Sequence, residues 1–357
     1  MTVATKQSDV AAGVRRDPTG GPGSAPTPPS PINRRLGLLL QIPEASIALV
    51  AIIIAIVFQF LNQGFLTVEI PILAASTALY GLIAIGEAML MITGEIDLSA
   101  AKIYSTTPFI AYYLTQAHIP YGVAIVLALV GAALIGMVNG IITVRFGVPS
   151  LIATLGMLFL LNGLTLTVSR SQPVTTPAAE PINTFLGLGQ SQPIGGPAAY
   201  AGFIWLLLIL GVLTVVLRRT RFGMHTISVG SSLLASREIG IRTQRVKIAN
   251  FMIMGFLAGL NGVIESVSSG STDPSAGDNI LTLYGIAAAV IGGTSLFGGS
   301  GTLIGAVIGA FVIAALINGL PLVGVQATAS DIIVGIAIVA AILLNIWLGK
   351  LRGRRAA

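Results

Sequence analysis

Two carboxylates two residues apart stand between apolar stretches in Thr93-Gly94-Glu95-Ile96-Asp97-Leu98-Ser99. Acids in or beside hydrocarbon are costly and are paired, capping or functional. Asp97 and Ser99 are of the right type to cap a following helix by accepting its free N–H groups. Capping is the reading favoured for Asp97, while Glu95 lies too early for that role. Glu87 and Glu265 fall inside apolar stretches, where each either lines a polar pathway or bonds to a neighbouring helix. Glu87, Glu95, Asp97, Ser99 and Glu265 are therefore the pathway candidates. Asn139, Asn162, Asn261 and Asn318 suit hydrogen bonds between helices. The only histidines, His118 and His225, have no partner at metal-ligand spacing, and there is no cysteine. No nucleophile and base can be assembled, so neither an enzyme nor a metal or cofactor site is expected.

Two further segments are unusual. Gly292-Gly293-Thr294-Ser295-Leu296-Phe297-Gly298-Gly299-Ser300-Gly301 holds five glycines in ten residues. It lacks the lysine of a phosphate-binding P-loop, and no Gly-x-x-x-x-Gly-Lys-Ser/Thr pattern occurs in the chain. A tight turn or re-entrant break with close helix packing is expected there. The other segment runs from Gly230 to Ile241 and includes Ala235, Ser236, Glu238 and Gly240. Small residues followed by a glycine at C-terminal-cap spacing fit a short helix suited to a partner's groove, or an ordinary solvated basic loop.

The elements that must hold these residues are membrane helices. Hydrophobic residues make up 54% of the 357-residue chain and charged ones 9%, where a soluble domain carries about a quarter charged. Ten apolar stretches follow one another at 45–62, 70–92, 98–115, 122–144, 149–168, 201–217, 248–268, 279–297, 301–320 and 330–348. They are too long and too little alternating for barrel strands. The expected fold is all-α: a polytopic bundle of about ten transmembrane helices with broken or re-entrant elements, spanning 45–348. A Pro/Gly-rich segment over 1–44 reads as a disordered tail, and 349–357 as a basic C-terminus. Basic residues gather before the first span, within 218–247 and after the last. An even number of spans places all three, and both termini, in the cytoplasm, with 169–200 outside. This membrane pattern also accounts for the net charge of +6 without nucleic acid.

A weak internal echo runs through the chain. Tyr80-Gly81 opens a stretch running to Thr93-Gly94, and Tyr284-Gly285 opens one running to Phe297-Gly298, at a shared offset of 204 residues. Transporters often carry such repeats, with broken helices at matching places. Chance matches among 43 glycines would give the same pattern.

Four segments in register resemble the permeases of ribose-type ABC importers. Gly94-Glu95-Ile96-Asp97-Leu98-Ser99 resembles their Gly-Gly-Ile-Asp-Leu-Ser. Phe146 to Gly156 is similar to a second segment. Gly230 to Ile241 resembles their cytoplasmic Gly-x-Asn-x-x-Ala-Ala-x-x-x-Gly-Ile element, and Ile291 to Gly301 their Gly-Gly-Thr-Ser-Leu-x-Gly-Gly-x-Gly run. The match spans about 45–348. Glu95 stands where glycine is commoner, and Ser232 replaces the asparagine. The resemblance implies a pathway-forming permease for a sugar or sugar alcohol, paired with a second permease subunit in the lipid of the cell membrane. Separate ATPase subunits would dock on Gly230 to Ile241, and an extracytoplasmic binding protein would deliver the solute. Similar permeases import branched-chain amino acids or autoinducer. A proton-coupled secondary carrier using Glu87, Glu95, Asp97 or Glu265 is the competing reading.

Overall fold

A computed structural model describes residues 43–67, 69–177, 200–277, 279–326, 329–340 and 342–343. The expected tail, the basic C-terminus and most of the outward loop (178–199) lie outside the described residues. The described residues all fall within one compact unit.

The described chain is helical. In order come α1 (Pro43–Leu61), α2 (Ile70–Ile92), α3 (Ala100–Gln116), α4 (Tyr121–Arg145) and α5 (Ser150–Ser169). A two-residue strand β1 (Val174–Thr175) precedes α6 (Ala201–Arg219), α7 (Arg221–Ser231), α8 (Leu233–Glu238) and α9 (Thr243–Ser269). Strand β2 (Ser271–Thr272) is followed by α10 (Asn279–Ile291), α11 (Leu303–Leu322) and α12 (Ala329–Ala340). The two strands pair antiparallel, Val174 opposite Thr272.

Each of the ten apolar stretches holds a helix, and among the described residues seven of these helices are long and apolar enough to cross a membrane. Of the other three, α3 and α10 are short, and α12 is described over only part of its stretch. α3 has 17 residues, about 25 Å at 1.5 Å per residue, against roughly 30 Å of hydrocarbon. α10 stops at Ile291, short of the expected 297, because Gly292 and Gly293 turn the chain there, Gly293 at φ +92°. α9 starts at Thr243 rather than 248, since its first turn (Thr243 to Lys247) is polar and continues past the apolar stretch.

α2, α9 and α11 are the buried centre, whereas α1, α4, α5 and α6 turn apolar faces outward, with Phe60 and Phe159 among the exposed side chains. In lipid no hydrophobic force draws helices together, so close packing and hydrogen bonds must do so. α9 packs most extensively on α4, and α2 on α11 and α10. Asn261 on α9 donates to the Leu79 carbonyl of α2 at 2.8 Å. Asn318 on α11 donates to Ser76 Oγ at 3.1 Å and to the Ala314 carbonyl at 2.7 Å. The internal echo has a spatial counterpart. Tyr80 and Tyr284 meet edge to face, ring centres 5.5 Å apart, and Gly94 and Gly298 lie side by side at φ +83° and +86°.

Candidate functional site

Irregular backbone within a bundle must find all its hydrogen bonds inside the protein. The 94–99 segment does so against α2, α4 and α5. Ile96 N–H donates to Ser150 Oγ at 3.3 Å and Leu98 N–H to Thr154 Oγ1 at 3.0 Å. Ser150 and Thr154 lie one turn apart on α5, so a single helix face supplies both acceptors. Asp97 Oδ1 accepts from Ser99 N–H (2.8 Å) and Ser99 Oγ–H (2.6 Å). Asn139 Nδ2 donates to Asp97 Oδ2 (3.1 Å) and Ser99 Oγ (2.8 Å). Asp97 N–H points to Glu87 Oε2 at 3.5 Å. Glu87, Asp97, Ser99 and Asn139 are all fully buried. Among the described residues Glu87 Oε1 and Asn139 Oδ1 have no partner.

The capping expectation for this segment is corrected. Ser99 is the residue before α3, but it sits in helical conformation (φ −80°, ψ −6°) and its side chain makes no capping bond. Its hydroxyl is already used on Asp97, and Asp97 bonds Ser99 rather than the helix. The Ala101 N–H of α3 goes instead to Thr282 Oγ1 of α10, 2.8 Å away. Glu95 takes no part in this network; it forms a largely buried ion pair with Lys247 on α9. Sequence reasoning missed Ser150, Thr154, Lys247 and Thr282, although the Ser/Thr pair at a four-residue spacing just after Pro149 was a usable signal.

The end of α2 also touches the Gly230 to Ile241 segment. Gly230 lies so close to the Ile92 carbonyl and the Gly299 amide that a Cβ there would collide with both. Gly299 N–H donates to Ile92 O at 2.9 Å, and Gly298 and Gly299 line the same joint. Within the glycine-rich run, Gly292 packs backbone to backbone on Gly305 of α11, and Gly301 lies against Ile92 and Thr294. α8 then projects from this joint. Ser232 caps it by accepting Ala235 N–H at 3.3 Å, which explains why serine replaces asparagine, an equally good cap. The helix ends in a Schellman motif: Gly240 N–H bonds Arg237 O, Ile241 N–H bonds Ser236 O, and Gly240 has φ +83°. Ser236 is buried, whereas Ala235 and Glu238 are exposed and Leu234 and Ile239 are each 73% exposed.

Glu265 lies elsewhere. It is 18 residues beyond Lys247 on α9, about 27 Å along the axis. There it faces a cavity of about 230 Å³ whose lining includes Tyr104, Ser105, Ser269 and Asp273. A chain of hydroxyls holds this end together: Ser266 Oγ lies 2.7 Å from Thr176 Oγ1 and 2.6 Å from Thr272 Oγ1, joining the β1–β2 ribbon to α9. Asn162 is half-buried, and among the described residues no group of three metal-ligating side chains occurs.

The family described as branched-chain amino acid transport system / permease component matches over residues 70–342. The chain is 40% identical to the xylose/arabinose import permease protein XylH of Sulfolobus acidocaldarius, covering 76% of each chain. It is 33% identical to the ribose import permease protein RbsC of Escherichia coli K12, covering 76% of this chain and 83% of the relative. It is 32% identical to the autoinducer 2 import system permease protein LsrC of Escherichia coli K12 DH10B, covering 74% and 76%. No solved structure matches.

Proposed function

The chain belongs to the permease family of ABC-type importers, and we propose that it carries a sugar, of the pentose class, inward through a pathway powered by separate ATPase subunits. The xylose/arabinose and ribose relatives support the sugar. α8 is the ATPase contact, in a complex completed by a second permease subunit and an extracytoplasmic binding protein. Both termini and residues 218–247 face the cytoplasm, in keeping with the basic residues there.

The observation that carries this reading is the form of α8. It is capped at both ends, anchored by a buried Ser236, and presents Leu234, Ala235 and Ile239 outward. A rigid, short, apolar-tipped helix can enter a partner's groove and transmit its movement. Ala235→Glu tests it. Ala235 is exposed, so the change leaves the permease fold intact. In a groove, a buried unpaired charge costs about 3 kcal/mol, roughly a hundredfold in affinity. The expected result is loss of ATPase co-purification and of sugar uptake at normal membrane abundance; native uptake by the variant would refute the assignment of α8.

A further inference from the structure

We propose that the cavity beside Glu265 is a station for a neutral monosaccharide on the translocation route, read by carboxylate and hydroxyl groups and closed to anions. The inference rests on the sugar-importer reading and adds where the solute binds and why anions do not pass.

The cavity lies at the end of α9 opposite α8, where a solute delivered from the far side of the bundle would enter. At about 230 Å³ it is smaller than the usual drug-sized pocket, which suits a small solute. Its lining is fixed in advance. Ser269 Oγ bonds the Glu265 and Ser271 carbonyls at 2.8 and 2.9 Å, Ser105 bonds Lys102 O, and Asp273 Oδ1 accepts Ser275 N–H at 2.8 Å. The Glu265 carboxylate, by contrast, has no hydrogen-bond partner among the described residues. It is a free acceptor facing the space, the group that a ring of hydroxyl donors would satisfy.

The charge of the lining gives the specificity. Glu265 and Asp273 both contribute, and among the described residues no lysine or arginine does. A net-anionic solute meets like charge, while a polyol meets acceptors for its O–H groups and the ring of Tyr104 beside them. A route also needs sites weak enough to release their occupant. One free carboxylate among hydroxyls already bonded to the protein fits that need better than a fully complementary cage.

The test uses cells lacking their own pentose uptake, expressing the full chain with its ATPase and binding protein. Uptake of labelled D-xylose, L-arabinose, D-ribose and L-leucine is measured for the native chain, Glu265→Gln and Ala276→Leu. Gln keeps the size of the side chain and removes its charge; Leu fills the cavity. Sugar uptake should fall at least tenfold in both at saturating sugar, with unchanged membrane abundance and ATPase co-purification. A native chain that imports sugar while either variant stays within twofold of it at equal abundance overturns the station alone. A native chain that imports leucine and no sugar overturns the sugar reading, and the station with it.

Discussion

Asp97 shows how a correct residue can carry the wrong role. Its position, two residues before Ser99, suggested a helix cap, because local spacing is all that a sequence displays. The structure uses both of its oxygens in a buried network with Ser99 and Asn139, and gives the free Ala101 N–H to Thr282, 181 positions later. No local pattern reveals that exchange. Asp97→Asn keeps the acceptor for Ser99, and Asn139 can turn its unpartnered Oδ1 toward the new amide. The variant should stay within about 1 kcal/mol of native stability, whereas Asp97→Ala, which strands buried donors, should lose about 1–3 kcal/mol. Thermal unfolding in detergent distinguishes them, and equal losses would deny the network its role. Glu95 was legible as unusual but not as half of an ion pair, because Lys247 lies 152 residues away. A double-mutant cycle of Glu95→Gln and Lys247→Met should return a coupling of about 1 kcal/mol, as for a partly screened pair; additive losses would contradict it.

Among the elements, helices and the glycine end of α8 were readable and their meeting points were not. The ten apolar stretches each became a helix, since hydropathy is a property of the stretch itself. Gly240 announced the end of α8 through contacts three to five residues long, whereas the cap that Ser232 supplies at its start emerged only in the structure. The joint of Gly230, Gly299 and Ile92 joins three parts of the chain, so the sequence showed only an excess of glycine. It links α8, through α7, to the end of α2 and so to the 94–99 segment. That geometry makes Gly230→Ala informative. The added Cβ must push apart the Ile92 carbonyl and the Gly299 amide, an overpacking cost of about 1–3 kcal/mol. Uptake should be lost while ATPase co-purification persists, because α8 itself is untouched. Native uptake by Gly230→Ala would show that movement does not pass through this joint.

At the scale of the whole molecule, the membrane fold was visible in composition, and the transporter class and family in four short segments. What the sequence held back was arrangement: that α2, α9 and α11 form the centre, and that Tyr80 and Tyr284 from the two echoing stretches face each other. Two energy sources can drive a bundle of this kind. The buried pair of Glu87 and Asp97 would serve a proton-coupled carrier, whereas the projecting α8 would serve an ATP-driven one. The direct measurement is pentose uptake into vesicles reconstituted with the permease, its ATPase and its binding protein. ATP enclosed with the ATPase should drive accumulation that continues when a protonophore collapses the proton gradient. Uptake that needs the gradient and proceeds without ATP would contradict the account.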